Sequence, residues 1–244
     1  MRVLIYSDLH LEFGTGFEPP NIDVDLVVLA GDIGKGVKAV RWANDAFKCQ
    51  VVMIAGNHEF YSGHLDRTWE KMKAAAAPHV HLLQNQAFVR DGVRFLGTTA
   101  WTDFSISGNS QVAAIVASQQ MNDYKLIRAD DSYRKLRPAD VIKRNRIAHG
   151  WLTSELEKSY DGKTVVVTHH CPLMQLIGGE HQDHLSAAYS NNWPELVSKA
   201  DVWIFGHTHE AVDDEFYGCH VISNPRGYPA VSYTHLTLPT TPYV

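Results

Sequence analysis

The chain has few cysteines, no long apolar run and no surplus of basic charge, and each shortage narrows what it can be. Its 244 residues hold three cysteines, Cys49, Cys171 and Cys219, widely spaced and without a CxxC pair. An odd, scattered set builds no disulfide framework and suits a reducing compartment, so the cytoplasm is the expected location. Hydrophobic residues make up 45% of the chain, yet no run approaches the roughly 20 residues that cross a bilayer, and no membrane partner is expected. The opening Met1-Arg2-Val3-Leu4-Ile5-Tyr6 is too short for a signal peptide and is interrupted by Ser7-Asp8; it reads as a first strand. A formal charge of −5 lacks the basic excess that neutralises duplex phosphates, which weighs against long duplex nucleic acid as a partner.

What is present is an alternation of short β-branched or aliphatic runs with helical stretches, the pattern of strands feeding crossover helices. Strands are predicted over 2–6, 26–30, 51–54, 93–97, 164–168 and 202–205. Helices are predicted over 37–48, 64–77, 141–158 and 111–121, where apolar residues recur every three or four positions. Residues 211–217 and 220–223 straddle Gly218-Cys219 as a hairpin, which brings antiparallel pairing late in the chain. The length suits one domain, expected over 1–230, with a polar, less periodic inserted segment at about 101–138 beside the functional site. Residues 231–244, beginning Val231-Ser232-Tyr233-Thr234-His235, read as a translated sequencing-library adapter. Back-translated, they fit a transposase end sequence, so native residues are expected only to about Ala230, with the authentic C-terminal sequence lost beyond it.

Fourteen histidines are many for this length, and several fall in five polar clusters, each just after a predicted strand. The clusters are Asp8-Leu9-His10, Gly31-Asp32, Gly56-Asn57-His58-Glu59, His169-His170 and Gly206-His207-Thr208-His209. Open α/β sheets place ligands beyond the carboxyl ends of their strands, so the five are expected to converge. In extended chain, residues two apart share a side, which lets Asp8 and His10 grip one ion; His207 and His209 repeat that spacing. Glycine before the polar residue leaves room for the backbone to approach closely. Singly, a DxH triplet or a Gly-Asp turn means little; in this order the series points to a metal site.

The series DxH, GD, GNH, H and GHxH resembles the calcineurin-like metallophosphoesterase superfamily at every motif from Asp8 to His209. The resemblance implies an α/β fold, a two-sheet β-sandwich flanked by helices, with the metal site at the carboxyl ends of the strands. It further implies two divalent ions: Asp8, His10, Asp32 and His209 on the first, and Asp32, Asn57, His169 and His207 on the second, with Asp32 bridging. His170 stands beside His169 as the alternative ligand. By the same resemblance, His58 points at substrate.

Oxygen and nitrogen donors without thiolate suit Mn, Fe, Zn, Co or Ni. The expected reaction is hydrolysis of a phosphomonoester or small phosphodiester by a metal-bridging hydroxide, with His58 as general acid. The alternatives are a nuclease on the same site and a non-catalytic metal-binding scaffold for partner proteins. Glu59 is read either as a carboxylate bonded to a ligating imidazole or as a solvent-facing side chain. Arg226 is a candidate contact for substrate phosphate. Asp103 and Asn122-Asp123-Tyr124 are candidates to line the substrate pocket but read chiefly as caps and turns, His181, Asp183 and His184 as an exposed loop before one reaching over the metals, Cys171 as packing before a nucleophile, and Val112–Val116 with Met121 as a core stripe before a partner-binding one.

Overall fold

The computed structural model describes residues 1–14, 16–178 and 183–228. His181, Ala230 and the adapter-like tail lie outside them. The first sheet runs β1 (Val3–Tyr6), β2 (Leu26–Ala30), β3 (Gln50–Ile54) and β4 (Val80–Leu82), all parallel. Parallel neighbours need crossovers, and α1 (Val37–Ala46) and α2 (Leu65–Ala75) supply the later two. The second sheet takes the order β11-β12-β10-β9-β6-β5, where β5 is Gln86–Arg90, β6 Val93–Thr98, β9 Lys163–Thr168, β10 Val202–Phe205, β11 Val212–Phe216 and β12 Cys219–Ser223. Its four inner strands are parallel and the two edge strands, β5 and β11, antiparallel.

Side-chain alternation along these strands divides the apolar residues into three layers. Val3, Ile5, Val28 and Ile54 of the first sheet meet Val165, Val167, Ile204 and Ile222 of the second, so the two sheets pack face to face. On the far side of the first sheet Leu4, Leu29 and Met53 pack with Val40 and Ala43 of α1 and Met72 of α2. On the far side of the second, Val166, Trp203 and Phe205 pack with Leu152 and Leu156 of α5 (Pro138–Leu156) and with Leu196 of α6 (Pro194–Val197). The result is the expected sandwich with helices on both outer faces. Among the described residues no helix is long and apolar enough to cross a membrane.

Local chemistry sets where the helices begin. The His64 ring accepts hydrogen bonds from the backbone N–H groups of Asp66 and Arg67 at 3.1 and 3.3 Å, capping α2 as a Ser or Asp would. Helix α5 starts three residues before the predicted Val141, because Pro138 suits a first helical position and Asp140 accepts the Arg137 N–H at 2.9 Å.

Between β6 and α5 the chain forms α3 (Ser110–Gln120), α4 (Asp123–Leu126) and a small hairpin of β7 (Arg128–Ala129) and β8 (Arg134–Lys135). The core stripe expected on α3 is corrected here. Ala113 and Ala117 are its buried residues, while Val112 and Ile115 are 36% and 56% exposed.

Candidate metal centre

Each of the five polar clusters follows a strand: β1 delivers Asp8 and His10, β2 Asp32, β3 Asn57 and His58, β9 His169, and β10 His207 and His209. The first three strands belong to one sheet and the last two to the other, so the residues gather where both sheets end. Three sets of donor atoms lie within 4.8 Å of one another: Asp8, His10 and His209; His10, Asp32 and His58; and Asp32, His169 and His207. All of these residues are buried except His209, which is partly exposed.

The means of convergence differs from the pleat expected for Asp8 and His10. Asp8, His10, Asp32, His207 and His209 take φ of 53°, 48°, 55°, 70° and 57°, a left-handed backbone uncommon outside glycine. Such turns swing side chains off the strand direction and towards one point, and residues held there commonly mark functional sites. The glycines serve as expected. A methyl group on Gly56 would lie 2.7 Å from both Asp32 N and His169 Cε1, and one on Gly31 2.7 Å from Gly56 N.

Several contacts bring donor atoms close enough to share a cation. His10 Nε2 and His209 Nε2 face each other at 3.0 Å. Asp8 Oδ1 lies 3.4 Å from His209 Nε2, and Asp32 Oδ1 3.4 Å from His169 Nε2. His207 Nε2 is buried with no hydrogen-bond partner among the described residues, which is costly unless something else binds it, whereas His10 Nδ1 faces Glu12 Oε1 at 3.6 Å. A donor set of carboxylates and imidazoles with an orphaned imidazole nitrogen fits divalent metal ions.

Protonation follows from the same crowding. Burial opposes ionisation of Asp32, but His169 and His58 beside it hold its carboxyl well below the usual range. Burial likewise disfavours a charged His169, yet Asp32 pushes it up to about 10. Burial and the neighbouring His170 keep His207 neutral, well below the ordinary histidine value, with a lone pair to offer. His169 Nδ1 lies 2.9 Å from Ala30 O; donation there leaves Nε2 facing Asp32, where a bound cation would take the place of its proton. His170 instead turns Nδ1 to Thr99 O at 3.1 Å.

His58 lines a cavity of about 410 Å³ whose floor includes Asp32, Asn57, His207 and His209 and whose walls include Tyr61, Met121, Tyr189 and Tyr228. Its Nδ1 lies 2.6 Å from Glu12 Oε1, and its Nε2 3.1 Å from the Tyr228 hydroxyl and 3.8 Å from Asp32 Oδ2. The Tyr61 ring stacks on it at 4.1 Å between centroids. Burial resists a charged imidazole, but Asp32 and Glu12 raise its pKa.

Three neighbours of the site have contacts that the sequence did not reveal. Glu12 lies two residues beyond the DxH triplet and is legible only as the next acidic group in the chain. Asp123, treated as a cap, accepts hydrogen bonds from Asn57 Nδ2 at 2.8 Å and from the Tyr61 hydroxyl at 2.7 Å. Glu59 is neither solvent-facing nor bonded to an imidazole. It is buried and accepts the backbone N–H groups of Asp32, Ile33 and Gly56 at 2.9, 2.8 and 2.7 Å, stitching the ends of β2 and β3 together; burial and Asp32 push it up to about 7.

Asn122 lines the cavity, and the other candidates disperse. The Arg226 guanidinium lies over the Phe17 ring at 5.6 Å, and Arg226 is not among the described residues lining the cavity. Asp103 accepts the Ser105 N–H at 2.9 Å and Asp183 the Leu185 N–H at 2.9 Å, both as turn formers, and His184 opens the short turn His184–Ala188. Cys171 is fully buried and burial pushes its thiol up to about 12, as packing requires.

Fold and donor groups together define the class, a metal-dependent phosphoesterase. The chain belongs to the calcineurin-like phosphoesterase family, whose model matches residues 1–211. It is 26% identical over 265 aligned positions, covering 93% of this chain and 92% of the relative, to the uncharacterized protein L509 of Acanthamoeba polyphaga mimivirus. Among solved structures it is similar to phosphopantetheinyl hydrolase (PptH) from Mycobacterium tuberculosis, with a TM-score of 0.69 and 16% identity over 94% of this chain and 90% of that one. It is also similar to a 5′-nucleotidase, so described provisionally, from Staphylococcus aureus, with a TM-score of 0.50 and 15% identity. That likeness covers 92% of this chain but 48% of the other.

Proposed function

We propose that the protein hydrolyses a small phosphomonoester or phosphodiester using two divalent ions. Asp8, His10, Asp32 and His209 would hold the first, and Asp32, Asn57, His169 and His207 the second. The observation that carries this reading is that Asp32 stands with His10 in one donor set and with His169 and His207 in another, while His10 joins Asp8 and His209, so one carboxylate reaches both groups of ligands. When bound, such ions supply Lewis-acid charge against the phosphoryl oxygens and hydroxide at neutral pH. Manganese, iron, zinc, cobalt and nickel all suit the donors.

His58 would serve as the general acid. Donation from Nδ1–H to Glu12 fixes the ring and leaves Nε2, at the cavity, to pass a proton to the departing oxygen. Such help is worth about 10²–10⁴ in rate. The tyrosine-lined cavity and the net charge of −5 favour a small organic phosphate over a polyanion. Three free thiols agree with a cytoplasmic setting.

The test is a screen of the full chain loaded with each metal against chromogenic phosphomonoesters and phosphodiesters and against single- and double-stranded DNA. Turnover of a small ester that vanishes on chelation is expected. Two bound ions without hydrolysis of any ester would sink the proposal in favour of a scaffold, and exclusive cleavage of DNA would replace it with a nuclease.

A further inference from the structure

The side chain of Asn57 has an ambiguity that no other ligand in the site shares. A carboxylate offers equivalent oxygens, whereas an amide offers an oxygen on one side and an NH₂ group on the other, and only the oxygen can bind a cation. Something must choose which end faces the metals. On one side of the amide, 3.1 Å away, is His169 Nε2. On the other, 2.8 Å away, is Oδ1 of Asp123.

Asp123 is 3% exposed and begins α4, far along the chain from Asn57. Its Oδ1 already accepts the Tyr61 hydroxyl at 2.7 Å. Turning Asn57 over would set its carbonyl oxygen against that carboxylate oxygen, two acceptors in contact without a proton between them, and would strand the NH₂ group beside the cations. An unpaired buried polar contact of this kind is strongly disfavoured. The observed orientation satisfies both sides: Nδ2 donates to Asp123, and Oδ1 faces the set formed by Asp32, His169 and His207.

We propose that Asp123 is a positioning residue that fixes the Asn57 amide with its oxygen towards the second metal ion. This rests on Asn57 being a ligand. The carboxylate itself stays outside the donor sets, and Tyr61 holds it in place while stacking on His58. The segment between β6 and α5 thereby completes a site whose ligands all come from elsewhere.

The test is titration of the metal-free full chain with Mn²⁺ alone, following stoichiometry and affinity by calorimetry and electron paramagnetic resonance. In Asp123→Leu, which nearly keeps the size but offers no acceptor to the Asn57 NH₂ group, one of two ions should bind about 10- to 100-fold more weakly, the usual cost of losing a partner of a ligating group, while the other keeps its affinity. The swapped pair Asn57→Asp with Asp123→Asn should hold both ions, because a ligating carboxylate needs no orientation and the new amide can donate to it. Asn57→Ala should lose that ion outright, with no further loss on adding Asp123→Leu. Loss of the ion in Asn57→Ala with normal binding in Asp123→Leu would overturn the positioning role and leave Asn57 a ligand. Full binding of both ions by Asn57→Ala would overturn the ligand assignment and the inference with it. If Asp123→Leu fails to fold, the swapped pair decides: a folded pair that lacks the second ion rejects the role.

Discussion

Glu12 Oε1 sits 2.6 Å behind His58 Nδ1, and the two side chains keep only 6% and 5% of their surface exposed. A buried carboxylate on one imidazole nitrogen fixes which way the other nitrogen points. Burial opposes ionisation of Glu12, but the imidazoles of His10 and His58 beside it bring it down to about 2, so it stays charged. Glu12→Gln should therefore lower kcat by about 10- to 100-fold, the scale seen when a supporting partner is lost. In a His58→Ala background the same change should add little, since the two act as a unit. Steady-state kinetics on the four proteins of that cycle measure the coupling, and fully additive losses would separate Glu12 from His58.

His58 and Asp32 should part company when substituted. His58→Ala is expected to keep both ions and lose about 10²–10⁴ in turnover. Asp32→Asn is expected to lose an ion, because the shared carboxylate oxygen becomes an NH₂ group in one orientation or the other. Metal content by elemental analysis, measured beside kcat, tells them apart.

Gly56 has no room for a methyl group beside Asp32 and His169. Gly56→Ala should cost about 1–3 kcal/mol of stability, as overpacking does in a well-packed interior, and should also weaken metal binding, because the backbone and side chain it displaces belong to the site. Urea unfolding and Mn²⁺ titration of the one variant read both effects. Gly92, where an added Cβ meets nothing within 4 Å but φ is +76°, provides the contrast, with backbone strain and no change at the metals.

Away from the site, Asp140 links pH to stability. Arg134 Nη1 and Nη2 donate to its two oxygens at 2.7 and 2.9 Å and the Arg137 N–H donates at 2.9 Å, and these donors, Arg134 foremost, hold its carboxyl below the usual value. A depressed folded-state pKa contributes stability above the unfolded value near 3.9 and loses it as pH falls through the folded one. Asp140→Ala should cost about 1 kcal/mol at pH 7, mostly through the cap because the ion pair is partly solvent-screened. The gap from the parent protein should close below about pH 4. Parallel denaturation curves at pH 7 and pH 3 give the comparison, and a gap that persists at pH 3 would assign the loss to packing.

Much of this architecture was legible because its signals are local. The run Leu26–Ala30 is a strand to the residue, and the polar groups after β1, β2, β3, β9 and β10 gather as their positions implied. Short or exposed strands were missed: Val80–Leu82 has three residues, and Gln86–Arg90 lies at a sheet edge with little burial to pattern it. Asp123 and Glu59 were misread for a different reason. Their partners are a side chain distant in sequence and the backbone of a neighbouring strand's end, and nothing in the residues around them records either. The five left-handed turns were equally hidden, since aspartate and histidine there look like ligands whatever their backbone does.

The donor groups come from both layers of strands, Asp8, Asp32 and Asn57 from one and His169, His207 and His209 from the other. Ions bound among them would act as rivets across the seam. Prising the layers apart and releasing the ions then become a single event, so saturation with metal should raise the melting temperature of the entire sandwich.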